Sequence, residues 1–424
     1  MQRVLVTGGA GFIGSHVVDL LLKQGCQVMS FDCLMPQVHP NRPDWPTYQP
    51  DQPNLERWCG DVRDSIRALM PALLAFKPDT IIHLAALVGV GQSTYQPAVY
   101  TSANITGTMN VLDCVYRYNR EAEESAHRRA TVAGLPAQLW EEMLKKDPEP
   151  RQEDGTLWTE AAFREAAQKE VETQLKALPS HGQVAQVFVA GSMSSYGEGA
   201  VEWQGEEQLR PVGTAESQPL APTSIYAWTK AQQEEGALLL AELLGLDVRV
   251  GRFFNCYGNN QSLTNPYTGV GAIFSARALA GLCPVVYEDG GQSRDFIHVS
   301  DVTRAILTIL EQGEPRQVYN VGTGVATSVL ELATRICEEL HQQDPEQPLL
   351  TPQVTGLVRV GDIRHCFAEV SRLKALGWEP QVTLETGVRE LIGWVRQQPQ
   401  TATQELLDRA HTELVRHGLL VDPE

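Results

Sequence analysis

A tyrosine and a lysine four residues apart are the residues of this chain best suited to proton transfer. Tyr226 and Lys230 lie in SIYAWTKAQQEEGALLLAELLG, a segment whose pattern predicts a helix. The spacing puts both side chains on one helical face, where an ammonium group can stabilise a phenolate and lower a tyrosine pKa that is ordinarily about 10. We therefore predict that Tyr226 is a base, although the same spacing also occurs on solvated helix faces.

A serine at the end of an upstream strand is the third candidate for chemistry. The apolar run VAQVFVA leads directly into GSMSSYGEG, in which Ser192 follows the last strand position. Its hydroxyl could donate or accept a hydrogen bond at the substrate hydroxyl that Tyr226 deprotonates. Ser192, Tyr226 and Lys230 are thus the predicted catalytic residues.

A glycine-rich turn near the start of the chain predicts the element that binds a cofactor. RVLVTGGAGFIGSHVVDLLLKQGCQVMSFD reads as strand, turn, helix and strand. Gly8, Gly11 and Gly14 permit the tight turn that seats a pyrophosphate on the helix N-terminus. Asp32 ends the second strand, where its carboxylate can accept both ribose hydroxyls and would repel a 2′-phosphate. The segment predicts a Rossmann unit that prefers NAD to NADP.

Two further strand ends extend the predicted cofactor site. WCGDVRD places Asp61 and Val62 after a third strand, and TIIHLAALVGVGQS places small residues after a fourth, where the backbone must approach a flat ring. His83 lies inside that apolar strand and is predicted to be a core residue with satisfied hydrogen bonds. The complete predicted cofactor set is Gly8, Gly11, Phe12, Ile13, Gly14, Asp32, Asp61, Val62, Leu84, Ala85, Ala86, Tyr226 and Lys230.

Composition excludes several classes of partner. The chain has 424 residues, 42% hydrophobic content and a net charge of -18, which disfavours nucleic acid and anionic membranes as partners. The longest apolar runs are too short for a membrane span, and MQRVLVTGG does not have the layout of a signal peptide, so a cytoplasmic location is expected. Eight scattered cysteines predict reduced thiols, and His298 and His365 have no partner at metal-ligand spacing, so no metal is predicted.

Six motifs in order carry a family resemblance: TGGAGFIG, HLAA, the Ser192 loop with its Tyr-Gly pair, YAWTK, RFFNCYG and DGGQSRDFIHVSDV. Together they resemble the extended short-chain dehydrogenases/reductases of the NAD-dependent nucleotide-sugar epimerase and dehydratase group. AALVGVGQS, SMSSYGEG, NPYTGVGAIFSARALAG and VRVGDIRHCFAE are most similar to the dTDP-L-rhamnose 4-epimerase-type and UDP-glucose 4-epimerase-like branches. The resemblance implies an α/β fold with a Rossmann doubly wound parallel sheet, a smaller α/β substrate domain and, in this chain, a helical insertion.

The resemblance also implies a reaction, the 4-epimerisation of a nucleotide sugar by tightly bound NAD. Tyr226 would take the proton of the sugar 4-hydroxyl as the C4 hydride leaves, Ser192 would orient the oxygen, and the 4-keto sugar would turn before the hydride returns. Met193 and Ser194 occupy positions that are acidic in the dehydratase branch, which argues against elimination. A dehydrogenase or 4-keto reductase of the same family and a non-catalytic NAD-binding scaffold remain alternatives.

Predicted substrate contacts follow from the same motifs. By resemblance, two arginines bind the diphosphate, an asparagine binds the diphosphate or the sugar, an aspartate binds the nucleotide ribose, and a serine of the catalytic loop contacts the substrate: Arg294, Arg359, Asn255, Asp362 and Ser194, respectively. Arginine forks suit phosphate, although exposed ion pairs are the alternative for each arginine. SLTNPYTGVG, with Asn265 and Tyr267, is predicted to fold over the nucleotide or sugar.

The predicted partner is a nucleotide-diphosphate sugar, and the predicted assembly is a homodimer. The resemblance places the dimer contact on the helix ITGTMNVLDCVYRYN and on the helix of Tyr226. Residues from about Arg120 to about Gln183 depart from the family pattern and predict two or three helices broken by Pro148, Pro150 and Gly155. This insertion is either a solvated appendage or packs against the substrate domain or a second subunit.

The domain limits follow from these segments. A second departure, GAVEWQGEEQLRPVGTAESQ, is predicted to form a flap near the sugar. The predicted divisions are 1–118 for the first part of the Rossmann domain, 119–183 for the insertion, 184–254 for its second part with the catalytic residues, 255–295 for a substrate-binding segment, 296–324 for a return to the Rossmann domain, and 325–424 for a substrate-binding segment and a C-terminal helical tail.

Overall fold

The computed structural model of the chain describes residues 1–36, 38–39, 44–147, 149–152, 156–157, 159–165, 167–168, 182–204, 208–261, 269–398, 412 and 415–422. The predictions made for Asn265 and Tyr267, and most of the predicted C-terminal helix, lie outside these residues. Among the described residues, no helix is both long and apolar enough to cross a membrane.

The strands begin early and recur throughout the chain. In order they are Arg3–Thr7 (β1), Gln27–Asp32 (β2), Leu55–Cys59 (β3), Thr80–His83 (β4), Gln186–Ser192 (β5), Val201–Gln204 (β6), Gln208–Pro211 (β7), Val248–Phe253 (β8), Asn255–Tyr257 (β9), Val285–Val286 (β10), Ser293–Arg294 (β11), Phe296–His298 (β12), Val318–Val321 (β13), Thr327–Ser328 (β14), Gln353–Val354 (β15), Val358–Arg359 (β16), His365–Cys366 (β17) and Leu420–Val421 (β18).

Seven of these strands form one parallel sheet in the order β3–β2–β1–β4–β5–β8–β13. β1, β4 and β8 consist almost entirely of buried residues, as expected for parallel strands that are covered on both faces. The chain runs outward from β1 to β3 and then returns to β4 on the other side of β1. This reversal opens a crevice at the carboxyl ends of β1 and β4, which is where ligands bind in such sheets. The predicted doubly wound Rossmann sheet is confirmed.

Helices cover both faces of the sheet and build the smaller lobe. They are Phe12–Lys23 (α1), Met70–Phe76 (α2), Val90–Tyr95 (α3), Pro97–Tyr100 (α4), Gly107–Lys146 (α5), Ile225–Leu244 (α6), Val270–Leu279 (α7), Val299–Gln312 (α8), Val329–Gln343 (α9), Ser371–Lys374 (α10) and Leu384–Arg396 (α11), with helical turns at Ser65–Leu69 and Thr101–Thr106. α2, α5 and α6 supply one core, and α1 and α8 supply the core on the opposite face.

His83 is the core residue that the sequence predicts. Its Nδ1 lies 2.7 Å from Thr7 Oγ1 and its Nε2 lies 2.8 Å from Thr108 Oγ1. Burial lowers the pKa of His83 to about 3, so the ring stays neutral near pH 7. Both nitrogens are satisfied, and the side chain joins β4 to β1 and α5.

A smaller lobe is built from α7, α9 and α11, which share a third core with buried Phe274, Leu332 and Leu391. Ser328 caps α9 by accepting the N–H of Glu331 at 3.0 Å. Buried Asp295 connects this lobe to the large sheet. Its carboxylate accepts hydrogen bonds from the hydroxyl and backbone N–H of Thr323, after β13, and from the backbone N–H groups of Gly324 and Ala368.

The insertion starts as a continuation of α5 rather than as a separate helix. This helix spans 40 residues, so the predicted boundary after residue 118 falls inside one continuous element. A motif-based boundary misses this because nothing in EAEESAHRRA interrupts a helix. Within the insertion, the rings of Trp140 and Phe163 pack at a centroid distance of 5.5 Å. Whether the insertion contacts a second subunit stays a prediction.

The predicted flap forms a hairpin. β6 and β7 pair antiparallel, and the base of the hairpin is joined to the chain near β17 through hydrogen bonds from Gly199 N to His365 O and from Thr214 N to Phe367 O. None of the described hairpin residues lines either of the two cavities at the crevice. The prediction of a flap near the sugar therefore gains no support from the described part of the hairpin.

A buried ion pair fixes α6 to the sheet. Arg252 on β8 donates from Nε to Glu234 Oε2 at 2.9 Å, and both side chains are more than 90% buried. The guanidinium also stacks over the ring of Tyr196 at 4.6 Å. Because Glu234 follows Lys230 by one helical turn, the pair fixes the helix next to the predicted catalytic lysine.

We expect Glu234→Ala to lower the free energy of unfolding by about 3–5 kcal/mol, because it leaves the buried Arg252 charge without its partner. Urea denaturation followed by circular dichroism measures the change. Glu235→Ala is the matched control, since Glu235 is exposed on the same helix and should shift stability by less than about 0.5 kcal/mol. A loss below about 1 kcal/mol for Glu234→Ala would show that the pair does not hold the helix in place.

Candidate active site

Two cavities meet at the carboxyl ends of the sheet strands. The first, of about 390 Å³, lies over β1, β2 and β4, and the second, of about 640 Å³, lies between the sheet and the smaller lobe. Their common wall consists of Ser192, Tyr226, Phe253, Phe254, Cys256 and Gly269. Two of the predicted catalytic side chains therefore face both cavities.

The first cavity has the glycine turn at its base. Gly11, Phe12 and Ile13 line it at the start of α1, and none of the described side chains caps this helix, so its first N–H groups are available to a ligand anion. Packing at the turn is tight, because a Cβ added at Gly14 would lie 2.0 Å from the carbonyl oxygen of Gly8. Only glycine fits there, which explains the spacing seen in the sequence.

Carboxylates lie at one end of the first cavity. Asp32 accepts the N–H of Leu34 at 2.8 Å and that of Ala10 at 3.1 Å, and burial raises its pKa. Asp61 accepts hydrogen bonds from Arg63, and these lower the pKa of Asp61 even though burial acts to raise it. All the residues predicted to bind the cofactor line this one cavity.

The donors and shape of the first cavity fit NAD. The uncapped start of α1 suits its pyrophosphate, and the buried Asp32 carboxylate suits a ribose with two free hydroxyls. Ala85 and Ala86 offer the small lining that a flat ring needs, and Gly8 permits this approach because a Cβ there would lie 2.8 Å from Ala85 N. Tyr226 and Lys230 line the other end of the same cavity.

A tight turn after β5 aims Ser192 at the common wall. Ser192 caps a single helical turn, Met193–Tyr196, by accepting the N–H of Ser194 at 3.2 Å, and the two serine hydroxyls lie 2.8 Å apart. Gly197 ends the turn with φ +69°, a conformation that favours glycine. The run of serines in the sequence thus forms a short capped turn rather than an open loop.

Tyr226 and Lys230 reach the wall from the first turns of α6. The Tyr226 hydroxyl lies 3.5 Å from Ser192 Oγ. Lys230 Nζ donates to the backbone carbonyl of Ala190 and to Gln233 Oε1, both at 2.6 Å. The ammonium group therefore holds the helix to β5 in this structure, whereas the spacing alone predicts that it stabilises the tyrosine oxygen.

Burial shifts the pKa of both groups. It raises the pKa of Tyr226, an effect that the hydrogen bond with Ser192 partly offsets. It lowers the pKa of Lys230 to about 7, against the opposing charge of Glu234. Tyr226 is thus a weaker acid than the sequence argument requires, and Lys230 titrates near neutral pH.

The second cavity has a cationic wall. Ser194, Asn255, Arg294, Arg359 and Asp362, the residues predicted to bind the substrate, all line it. The bonding of Arg294 differs from what its predicted role in binding the diphosphate requires. Arg294 is 6% exposed and donates to Asp362 Oδ1 at 2.7 Å and to three backbone carbonyls, so its donors are largely used within the protein.

Arg359 is in a different state from Arg294. Its guanidinium makes no hydrogen bond or ion pair with the described residues, which leaves its donors available to a ligand. Burial raises the pKa of Tyr287, and the neighbouring charges of Arg359 and Arg277 oppose that shift. The three side chains therefore form one group on the wall of the second cavity.

Several lining residues were not predicted from the sequence. Arg277, Tyr287 and Gln292 line the second cavity, and His39 and Arg63 line the first. Arg277 had a readable signal, since it is the one charged residue of the otherwise apolar α7. Gln292 Oε1 is buried and has no hydrogen-bond partner among the described residues.

Acidic and metal-binding groups are sparse at the two cavities. The carboxylates among the described lining residues are Asp32 and Asp61 in the first cavity and Asp362 in the second, where it is bound to Arg294. Within the described ranges, no group of three histidine, cysteine, aspartate or glutamate side chains is arranged to hold a metal ion.

Comparison with known proteins agrees with this geometry. Residues 5–131 match the family model described as GDP-mannose 4,6 dehydratase, and residues 161–322 match that of the NAD dependent epimerase/dehydratase family. The dTDP-L-rhamnose 4-epimerase of Burkholderia thailandensis is 32% identical over 400 residues, covering 94% of this chain and 96% of the relative. A dTDP-glucose 4,6-dehydratase of Xanthomonas campestris is 28% identical over 99% of this chain and 100% of its own length.

Solved structures show the same relation. The UDP-glucose 4-epimerase of Thermotoga maritima with UDP-glucose has a TM-score of 0.67 at 26% identity, covering 93% of this chain and 98% of that one. The UDP-glucose 4-epimerase of Thermus thermophilus with NAD has a TM-score of 0.66 at 25% identity, covering 94% and 100% of the two chains. This chain belongs to the NAD-dependent epimerase/dehydratase family.

Proposed function

We propose that the protein is an NAD-dependent nucleotide-sugar 4-epimerase that works through a transient 4-keto sugar. The observation that carries the proposal is the common wall, where Ser192 and Tyr226 separate a cavity that fits NAD from a cavity with a cationic side. A sugar whose diphosphate lies against that cationic side can present one of its hydroxyls to the two side chains. The relatives named as 4-epimerases support the same reaction.

The side chains divide the proton chemistry between them. Tyr226 takes the proton of the sugar 4-hydroxyl. Ser192 orients the sugar oxygen, and its Oγ lies 3.5 Å from the tyrosine oxygen. Lys230 donates to the Ala190 carbonyl and so fixes the helix one turn beyond Tyr226, on the same helical face. The residues that line the first cavity would hold NAD, which would supply reversible hydride transfer at C4. Because no net oxidation would occur, the cofactor would not need to be exchanged between turnovers.

The residues around Ser192 favour epimerisation over dehydration. Elimination of water needs an acid next to the sugar, and the turn supplies Met193 and Ser194 at the relevant positions. Asp362, the one carboxylate among the described residues of the second cavity, is bound to Arg294 at 2.7 Å. The 4-keto sugar therefore meets neutral side chains near Ser192, and the cavity of about 640 Å³ gives it room to turn.

The assembly we propose is a homodimer formed through α5 and α6, as the resemblance implies. Trp228, Leu239 and Leu243 on α6 are 42%, 56% and 69% exposed. Their spacing of eleven and four residues puts them on one face of the helix. We also propose a cytoplasmic location. All eight cysteines are free thiols, which suits a reducing compartment.

The first test is incubation of the purified protein, without added cofactor, with UDP-, dTDP-, GDP- and CDP-sugars. Proton NMR of the C4 coupling pattern should show one sugar converted to its C4 epimer. Tyr226→Phe should lower the rate at least about 100-fold, because it removes the group that takes the proton. Tyr116→Phe, at a residue that lines neither cavity, should leave the rate unchanged.

Other outcomes distinguish the alternatives. Reduction of added NAD without epimerisation would replace the epimerase with a dehydrogenase. A sugar that changes only with added NADPH would indicate a 4-keto reductase. Retention of NAD with no conversion of any sugar would favour the non-catalytic scaffold.

Lys230→Met should separate activity from stability. We expect activity to fall at least about 100-fold, because the ammonium group one helical turn from Tyr226 is lost. Without cofactor, the variant should be at least as stable as the native protein at pH 7, also measured without cofactor. The reason is that a buried ammonium is replaced by an apolar chain of similar length. Gln233 Nε2 would still donate to the Ala190 carbonyl, at 3.3 Å.

The pH dependence of that stability difference has a definite sign. With a pKa of about 7 in the folded chain and the ordinary value of about 10.5 when unfolded, Lys230 binds fewer protons in the folded state between these limits. The free energy of unfolding of the native protein should therefore increase relative to that of Lys230→Met as pH rises from 7 toward 10. Thermal unfolding across this range measures it, with exposed Lys374→Met as control. A constant difference would contradict the shifted pKa.

A double substitution tests the dimer. Leu239→Glu with Leu243→Glu should convert a dimer into a monomer, because it places two charges on the apolar face of α6. Light scattering measures the mass directly. Leu349→Glu, at a residue that is 53% exposed on a loop outside α5 and α6, is the control and should keep the dimer. A native protein that is already monomeric would contradict the proposed assembly.

A further inference from the structure

The segment that carries Arg359 has little rigidity of its own. β16 contains only Val358 and Arg359, and glycines with left-handed φ values lie on either side, Gly356 at +76° and Gly361 at +79°. Residues with this conformation are typical of turns, so the segment is a short bridge between two bends. One of its carbonyls, that of Leu357, accepts the N–H of Glu288 at 2.9 Å.

The other edge of this bridge is covered by residues from the far end of the chain. β18 pairs antiparallel with β16, with Val421 opposite Val358 and Leu420 opposite Arg359. Val360 N donates to Leu419 O at 3.0 Å, and the Leu419 side chain is 5% exposed. β18 is the one strand that pairs with β16 within the described residues.

The same residues also contact α3. The ring of His417 stacks on that of Tyr95, with centroids 3.8 Å apart and planes 9° apart. Tyr95 ends α3, and Val90 at the start of α3 lines the second cavity. We name residues His417–Val421 the strap, because they join α3 to β16.

We propose that the strap positions Arg359 to bind the diphosphate of the nucleotide sugar. The inference rests on the proposed function for the identity of the ligand. The Arg359 guanidinium has no hydrogen-bond or ion-pair partner among the described side chains, in contrast to the four bonds that Arg294 donates. Its place in the cavity is therefore set by its backbone, and the backbone is held on one side by the strap.

This arrangement makes the strap a positioning element rather than a catalytic one. Its described residues do not line either cavity. Its loss should weaken nucleotide binding while the NAD site, which lies over other strands, is unchanged. Arginine and phosphate bind best through paired, directed hydrogen bonds, so a guanidinium that moves loses affinity even though its charge remains.

A double-mutant cycle on binding tests the proposal. Isothermal titration of the NAD-containing protein with UDP, dTDP, GDP and CDP identifies the preferred nucleoside diphosphate. Truncation after Gly418, which removes most of the strap, should raise its Kd about tenfold, and Arg359→Ala should raise it by at least as much. The two changes together should raise Kd no more than Arg359→Ala alone, because the strap acts through Arg359.

Controls separate positioning from general loss of structure. Truncation after Asp422 keeps β18 and should leave Kd unchanged. The chain truncated after Gly418 should retain its NAD and unfold within about 3 °C of the full chain. If that truncation prevents folding, His417→Ala replaces it: this variant should raise Kd several-fold, and His417→Phe, which keeps a ring against Tyr95, should restore it.

Two results would overturn the proposal. An unchanged Kd after truncation at Gly418 would show that the strap does not support the site. If truncation and Arg359→Ala reduce the binding free energy by fully additive amounts, the strap acts on binding through residues other than Arg359. If the full chain binds none of the four nucleotides and Arg359→Ala changes nothing, the proposed function itself fails, which is a distinguishable outcome.

Discussion

The arrangement of the site depends on one buried contact between a helix and a strand. Lys230 on α6 donates to the carbonyl of Ala190, two residues before Ser192 on β5. Because the same strand carries Ser192 and the same helix carries Tyr226, this bond sets the separation of their hydroxyls. The ion pair between Glu234 and Arg252 holds the next turn of the helix to β8. The geometry of the proposed catalytic residues is thus set by the packing of α6 on the sheet.

That packing carries an energetic cost. A buried ammonium is expensive to desolvate, and the fall in the pKa of Lys230 to about 7 expresses the cost. The neighbouring Glu234 opposes the shift but does not cancel it. Functional sites often retain such groups because the reaction needs them, while the rest of the fold supplies the stability. Here the two large cores on either face of the sheet supply it.

An acidic protein that binds an anionic substrate needs a local reversal of charge. The net charge of -18 would repel a diphosphate from most of the surface. The second cavity supplies local positive charge, because Arg277, Arg294 and Arg359 line it. Their bonding differs, since Arg294 is bound to Asp362 and the backbone, whereas the Arg359 guanidinium makes no hydrogen bond or ion pair with the described residues. The location of an arginine in the cavity does not alone decide whether it can bind the phosphate, because donors already used within the protein are not available to a ligand.

Sequence reasoning reached the sheet because its signals are local. The glycine turn, Asp32 at the end of β2 and Ser192 at the end of β5 each follow from short-range periodicity and turn chemistry. The gathering of Ser194, Asn255 and Arg359 around one cavity was reached only through the family resemblance. The bond between Arg294 and Asp362 and the pairing of β16 with β18 were missed. Both join residues far apart in the chain, and no periodic pattern encodes such a meeting.

Helix α5 has a consequence for how the molecule moves through solution. Its 40 residues make it about 60 Å long, whereas the longest strand of the sheet on which it packs has 7 residues and is about 23 Å long. A helix that extends well beyond the sheet raises the frictional coefficient above that of a sphere of equal mass. Diffusion and elution volume then overstate molecular weight, so a single subunit would migrate as a larger particle.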